Sequence, residues 1–153
     1  MSILAFDITQ FFPTLNHRLL TLTLEKASLN LKVTLFFADY LVRRTNYVWN
    51  NLSSLIYEVN VGVGQGSALS PILSALYLSP FLYILENHLK NLNISVLLIS
   101  FIDDGLIIAQ NKSINISNSH LFYSYNVLFR LLVKFGLTIE HSMGSIEMES
   151  FGF

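Results

Sequence analysis

The chain has 153 residues, enough for a domain with a core of its own. Hydrophobic residues make up 52% and charged residues only 12%, which excludes the composition of a disordered chain. A net charge of −1 lacks the basic footprint usual in nucleic-acid-binding domains, and the absence of cysteine excludes disulfides and thiolate metal sites.

Residues 2–8, SILAFDI, read as a buried strand in which Asp7 interrupts an apolar run. The run is too short, and lacks the preceding basic residue, for a signal peptide. FFPTLN (11–16) reads as a turn, and Asn16 is placed to cap a helix through about Ala27. A second helix is expected from Leu31 to Val42, stopping at Arg43-Arg44, whose charges suit a helix C-terminus. TNYVWN (45–50) and SLIYEVNV (54–61) read as strands around the turn NLSS. GVGQGSALS (62–70) is a glycine loop. Ser70-Pro71 starts a helix reaching about Lys90, with Pro80 expected to kink or divide it. ISVLLISF (94–101) and GLIIAQ (105–110) are strands joined at Asp103-Asp104. A helix from about Ser117 to Phe135 ends at Gly136, and LTIE (137–140) is a last short strand. This order predicts an α+β fold, an antiparallel sheet with helices packed on one face.

Residues 59–85 carry no charge and are long enough to cross a bilayer. They also hold Gly62, Gly64, Gly66, Pro71, Pro80 and Gln65, so a membrane span is an alternative favoured by hydropathy alone.

Two adjacent aspartates stand out in VLLISFIDDGLIIA (96–109). Asp104-Gly105 is a strong two-residue turn signal, which accounts for Asp104 and leaves Asp103 without a reason. Neighbouring carboxylates raise each other's pKa unless a cation lies between them, and a hard divalent cation with oxygen ligands fits that need. Asp7 alone reads as a turn former or cap. If its strand lies beside the Asp103-Asp104 pair, three carboxylates meet at one sheet edge and could hold two Mg²⁺ ions for phosphoryl transfer. Gly62, Gly64 and Gly66 let backbone approach a ligand closely and lead into a helix N-terminus, although a plain glycine loop reads equally well. His17, His88, His120 and His141 show no metal-ligand spacing and read as surface or core residues.

Together, AFDITQFFPTLNHRLL (5–20), GQGSALSPIL (64–73), FIDDG (101–105) and KFGLTIEHS (134–142) resemble the successive motifs of a reverse transcriptase palm, most like those of non-LTR retrotransposons. The resemblance covers residues 2–141. It implies that Asp7, Asp103 and Asp104 are the catalytic metal ligands for Mg²⁺ (or Mn²⁺). Phe12 would sit beneath the sugar of the incoming nucleotide and exclude a 2′-hydroxyl. Gln65 and Gly66 would touch the templating pair and the nucleotide. The implied partners are an RNA template, a DNA primer and a dNTP, together with fingers and thumb segments of a larger polyprotein. The lysine usual after the glycine-leucine segment has no counterpart near Met143. The expected division is a partial palm over residues 1–142 and a divergent or disordered tail over 143–153. The function implied is partial RNA-directed DNA polymerisation, inactive in this chain alone. A non-catalytic remnant binding nucleic acid or protein is the first alternative, and a small membrane protein the second.

Overall fold

The computed structural model describes residues 1–27, 29–42, 45–50, 53–140 and 147–150. Its elements are β1 (Ser2–Asp7), α1 (Phe11–Thr14), α2 (His17–Lys26), α3 (Leu31–Val42), β2 (Thr45–Asn50), β3 (Ser53–Glu58), α4 (Ser70–Asn91), β4 (Val96–Phe101), β5 (Asp104–Ala109), α5 (Ile114–Lys134) and β6 (Glu147–Ser150). They divide into two compact units. One comprises Met1–Phe11 with Leu78–Phe153, the other Phe12–Tyr77. Arg43-Arg44, the NLSS turn's Asn51-Leu52, His141 and Met143 lie outside the described residues.

The first unit is built on a four-stranded sheet in the order β4-β5-β1-β6, with every neighbouring pair antiparallel. Alternation sets its faces. Ser2, Leu4 and Phe6 of β1 are buried opposite Ala109, Ile107 and Gly105 of β5. Helix α5 packs on the sheet, and its stripe Ser117, Leu121, Ser124, Leu128 and Leu132 recurs at helical spacing. The other face carries Leu97, Ile99 and Phe101 in the open, with Phe101 72% exposed. This is the expected one-sided α+β arrangement.

Gly105 is a strand residue rather than a turn residue. Phe6 is its cross-strand partner, and the Phe6 ring lies where a Cβ on residue 105 would stand. Gly105→Ala is therefore expected to lower stability by about 1–3 kcal/mol through overpacking. Denaturant midpoints measured at constant m-value check this, and an unchanged midpoint refutes the close packing.

The second unit pairs β2 with β3 and packs α2 against α3 over buried Leu15, Leu20, Leu24 and Leu41. The Asn16 Oδ1 accepts from the Leu19 N–H at 3.0 Å, so the expected N-cap forms. Helix α3 spans the expected Leu31–Val42.

Several boundaries differ from expectation. FFPTLN contains the short helix α1. The strand expected through Val61 stops at Glu58, and Val61 makes only an isolated bridge to Asn16. Helix α4 runs through Pro80 undivided: one missing N–H is tolerated where Phe81, Leu85 and Leu89 are buried on the following turns. Helix α5 begins at Ile114, and LTIE contributes only the bridge Ile8↔Ile139. Within the tail expected to be divergent or disordered, Glu147–Ser150 forms β6 against the edge of β1, from Ser2↔Ser150 to Ala5↔Glu147. An open β1 edge offers backbone hydrogen bonds that a short strand can take whatever its composition. Among the described residues no helix is long and apolar enough to cross a membrane.

Candidate active site

The β4–β5 hairpin closes at Ile102-Asp103, with Phe101 paired to Asp104. Ile102 has φ +60°, a left-handed backbone that a β-branched residue rarely adopts. Such a conformation costs on the order of 1–3 kcal/mol and persists only where the surroundings impose it. Here the register imposes it. A turn at Asp104-Gly105 would remove Gly105 from beneath Phe6 and Asp104 from its place beside Asp7.

On the other side of β5, Asp7 is directly opposite Asp104. Phe101, Asp104 and Asp7 thus fall in one row across three strands, on the face opposite the one covered by α5. Asp103 joins the same corner, its carbonyl oxygen accepting from the Ile8 N–H at 3.0 Å. The three aspartates singled out in the sequence are brought to one end of the sheet.

The electrostatics register this crowding. Burial raises the Asp7 carboxyl above its ordinary 3.8, the charges of Asp103 and Asp104 raise it further, and the Ile8 N–H partly opposes them. Glu140 adds a smaller push in the same direction. Its N–H donates to the Asp7 carbonyl at 2.9 Å, and the Thr9 hydroxyl donates to its Oε2 at 3.4 Å. Sequence reading missed Glu140, whose approach to Asp7 depends on the distant bridge Ile8↔Ile139.

Oxygen donors of this kind suit a hard divalent cation. Coulombic influence reaches several ångströms, whereas shared coordination demands oxygens within about 2.0–2.6 Å of one ion. Among the described residues no group of three acidic or histidine side chains converges that closely.

In the second unit, Val63 N–H donates to the Phe12 carbonyl at 2.9 Å and Gly62 N–H to the Leu15 carbonyl at 2.7 Å. Gly62 has φ +85°, and a Cβ there would stand 3.0 Å from the Pro13 carbonyl oxygen. The chain then makes a turn in which Ser67 N–H donates to the Gly64 carbonyl at 3.1 Å, with Gly66 at φ +86°. Positive φ at the third position is the requirement of a type II turn, and glycine meets it. The Ser70 hydroxyl also donates to the Gly64 carbonyl, at 2.5 Å. Gln65 and Gly66 are exposed at the tip, and Phe12 is half-buried.

A family model described as reverse transcriptase (RNA-dependent DNA polymerase) matches residues 1–142. The chain belongs to the reverse transcriptase family. It is a partial reverse transcriptase domain, and the family is one of nucleotidyltransferases that generally use divalent metals. Its fold is similar to the apo telomerase of Candida tropicalis truncated from its C-terminal domain, with TM-score 0.75 and 18% identity over 98% of this chain and 30% of that one. It is also similar to the telomerase of Candida albicans in complex with a TWJ fragment of telomeric RNA, with TM-score 0.71 and 17% identity over 99% of this chain and 28% of that one. The reverse transcriptase domain thus spans less than a third of these solved chains. At this identity they establish the fold and not the branch, and they are telomerases rather than retrotransposon enzymes. No curated protein matches the sequence.

Proposed function

We propose that this reverse transcriptase domain serves RNA-directed DNA synthesis by nucleotidyl transfer from a dNTP to a primer 3′-hydroxyl, on an RNA template. The supporting observation is the register that sets Asp7 opposite Asp104 and ties Asp103 to Ile8. In this reading Asp7, Asp103 and Asp104 hold the divalent cations, Mg²⁺ or Mn²⁺, and residues 1–142 are the palm portion of a longer polymerase with fingers and thumb. When bound, such cations supply charge stabilisation to the attacking and leaving oxygens. In the first unit the protein's part is to fix the carboxylates at the ends of β1 and β5; in the second, Phe12, Gln65 and Gly66 are the residues proposed for the nucleotide.

The test is Mn²⁺ binding followed by electron paramagnetic resonance. The wild-type chain should bind Mn²⁺ competitively with Mg²⁺, and Asp103→Asn should weaken binding by at least about tenfold. Equal binding by both removes the aspartates from this role. A non-catalytic module binding nucleic acid or protein is the second reading, favoured by the carboxylates' lack of convergence among the described residues. It gains if neither chain binds the cation.

On GQGSALSPIL, FIDDG and KFGLTIEHS we place the domain with the retrotransposon enzymes. A telomerase branch is the competing assignment; the solved telomerases share the fold and, at 17–18% identity, do not decide between the two.

Phe12→Ala, in a polymerase that includes this domain, should relax sugar selection. A ring beneath C2′ excludes the ribose hydroxyl by overlap, and alanine opens the space. The ratio of rNTP to dNTP incorporation should rise by at least tenfold; an unchanged ratio with activity intact makes Phe12 a packing residue only.

A further inference from the structure

We infer that His17 is a positioning residue that locks the glycine loop bearing Gln65 and Gly66 to the segment bearing Phe12, so that both parts of the proposed nucleotide site move as one body. The inference rests on the proposed nucleotide roles of those three residues.

The two segments run antiparallel. Phe12 and Leu15 carbonyls accept from Val63 and Gly62, Asn16 bridges Val61, and the Asn60 carbonyl accepts from the His17 N–H at 3.2 Å. The His17 ring adds the side-chain link. Its Nε2 lies 2.6 Å from the Gly62 carbonyl oxygen, and since a carbonyl only accepts, Nε2 carries the proton. His17 is 7% exposed, so this contact is shielded from water that would otherwise replace it.

The placement matters because Gly62 cannot anchor itself. It has no side chain, its φ is +85°, and it approaches Pro13 too closely to accept one. Its N–H is held by Leu15 and its carbonyl by His17, which fixes the peptide planes on both sides of it. Gln65 follows three residues later, on a turn already closed at Gly64 by Ser67 and Ser70. His17 itself opens α2, whose first turn is capped by Asn16. Orientation therefore passes from a capped helix, through one imidazole, to the loop. A histidine retained only for packing would fill the same space with no consequence for ligand choice. A positioning histidine governs how well dATP is distinguished from ATP.

The experiment measures Mn²⁺, dATP and ATP binding to the full chain and to His17→Phe and His17→Gln. His17→Phe keeps a ring and loses the donor. It should bind Mn²⁺ within twofold of wild type, lose at least about tenfold in dATP affinity, and lose most of its preference for dATP over ATP. His17→Gln restores an N–H donor and should recover affinity to within about threefold. Independently of any variant, the His17 Nε2 proton in the ¹⁵N-labelled wild-type chain should exchange more slowly with solvent when dATP saturates the protein. Undiminished dATP preference in His17→Phe, parallel loss of Mn²⁺ binding, or an exchange rate indifferent to dATP each overturns the inference. If the wild-type chain binds Mn²⁺ but no dATP, the nucleotide roles of Phe12, Gln65 and Gly66 fail, and the role of His17 fails with them.

Discussion

Asp7→Asn is expected to raise the melting temperature of the chain in metal-free buffer at pH 7 while removing its stabilisation by Mn²⁺. The sign follows from linkage. The native Asp7 carboxyl titrates above its ordinary 3.8, first because it is desolvated and then because Asp103 and Asp104 repel its charge. Between the unfolded and native pKa values the folded chain binds more protons than the unfolded one. Stability attributable to this group therefore falls as pH rises through that window, and the deficit persists at neutral pH. Asparagine removes the charge and with it the repulsion, at nearly constant volume. The divalent cation proposed to bind there would offset the same repulsion in the wild type. At a concentration ten times its Kd it would add about 1.4 kcal/mol, roughly 3–6 °C for a chain of this size. The mutant should gain in metal-free buffer and fail to respond to Mn²⁺. Thermal unfolding with and without 1 mM Mn²⁺, at pH 4 and pH 7, separates the outcomes. A mutant less stable than wild type at pH 7, or one still stabilised by Mn²⁺ to the same extent, refutes the account. The stabilising effect should also shrink between pH 7 and pH 4, because a raised pKa leaves more of the wild-type carboxyl protonated at the lower pH.

How much of this was visible in the sequence depends on the range of the interaction concerned. The Asn16 cap and the bounds of α3 are local matters, and both appear where the residues place them. The alternation of β1 was legible as an apolar run, and the proximity of Asp7 to Asp103 and Asp104 followed from pairing the two runs. The Asp104-Gly105 turn signal is not used: Gly105 lies in the strand expected to begin with it, and the hairpin closes one step before the expected Asp103-Asp104 junction, over a strained Ile102, because Phe6 claims the space above Gly105. A long-range packing demand overrode a local preference at the site proposed to be functional, which is where such conflicts are expected. Glu140 and β6 were illegible for a related reason. Each reaches β1 from more than 130 residues away, and no local pattern in LTIE or EMES announces the pairing. His17 was read as a surface or core residue and is buried, but its link to Gly62 exists only once the fold brings the two segments together.

The purified 153-residue chain is expected to extend no primed RNA template, even with the cations it is proposed to hold. Polymerase chemistry needs the 3′-hydroxyl held about 3–3.5 Å from the phosphorus in line with the leaving group, and positioning of that kind supplies roughly 7–11 kcal/mol of barrier reduction. The domain spans under a third of the length of the solved telomerases it matches. Its charge makes matters worse. Nine lysines and arginines against ten acidic residues leave the chain at −1, whereas affinity for nucleic acid rests largely on phosphate contacts. The acidic corner of Asp7, Asp103, Asp104 and Glu140 repels a polyanion, and the cations proposed there would offset that repulsion. Binding to a primed template should accordingly be weak at 50 mM salt and lost by 200 mM, with no dNTP incorporation above a no-enzyme control. Supplying the remaining polymerase segments in trans should restore extension. Robust incorporation by the chain alone, abolished by Asp103→Asn, would overturn this, because it would show that these 153 residues contain every group the reaction needs.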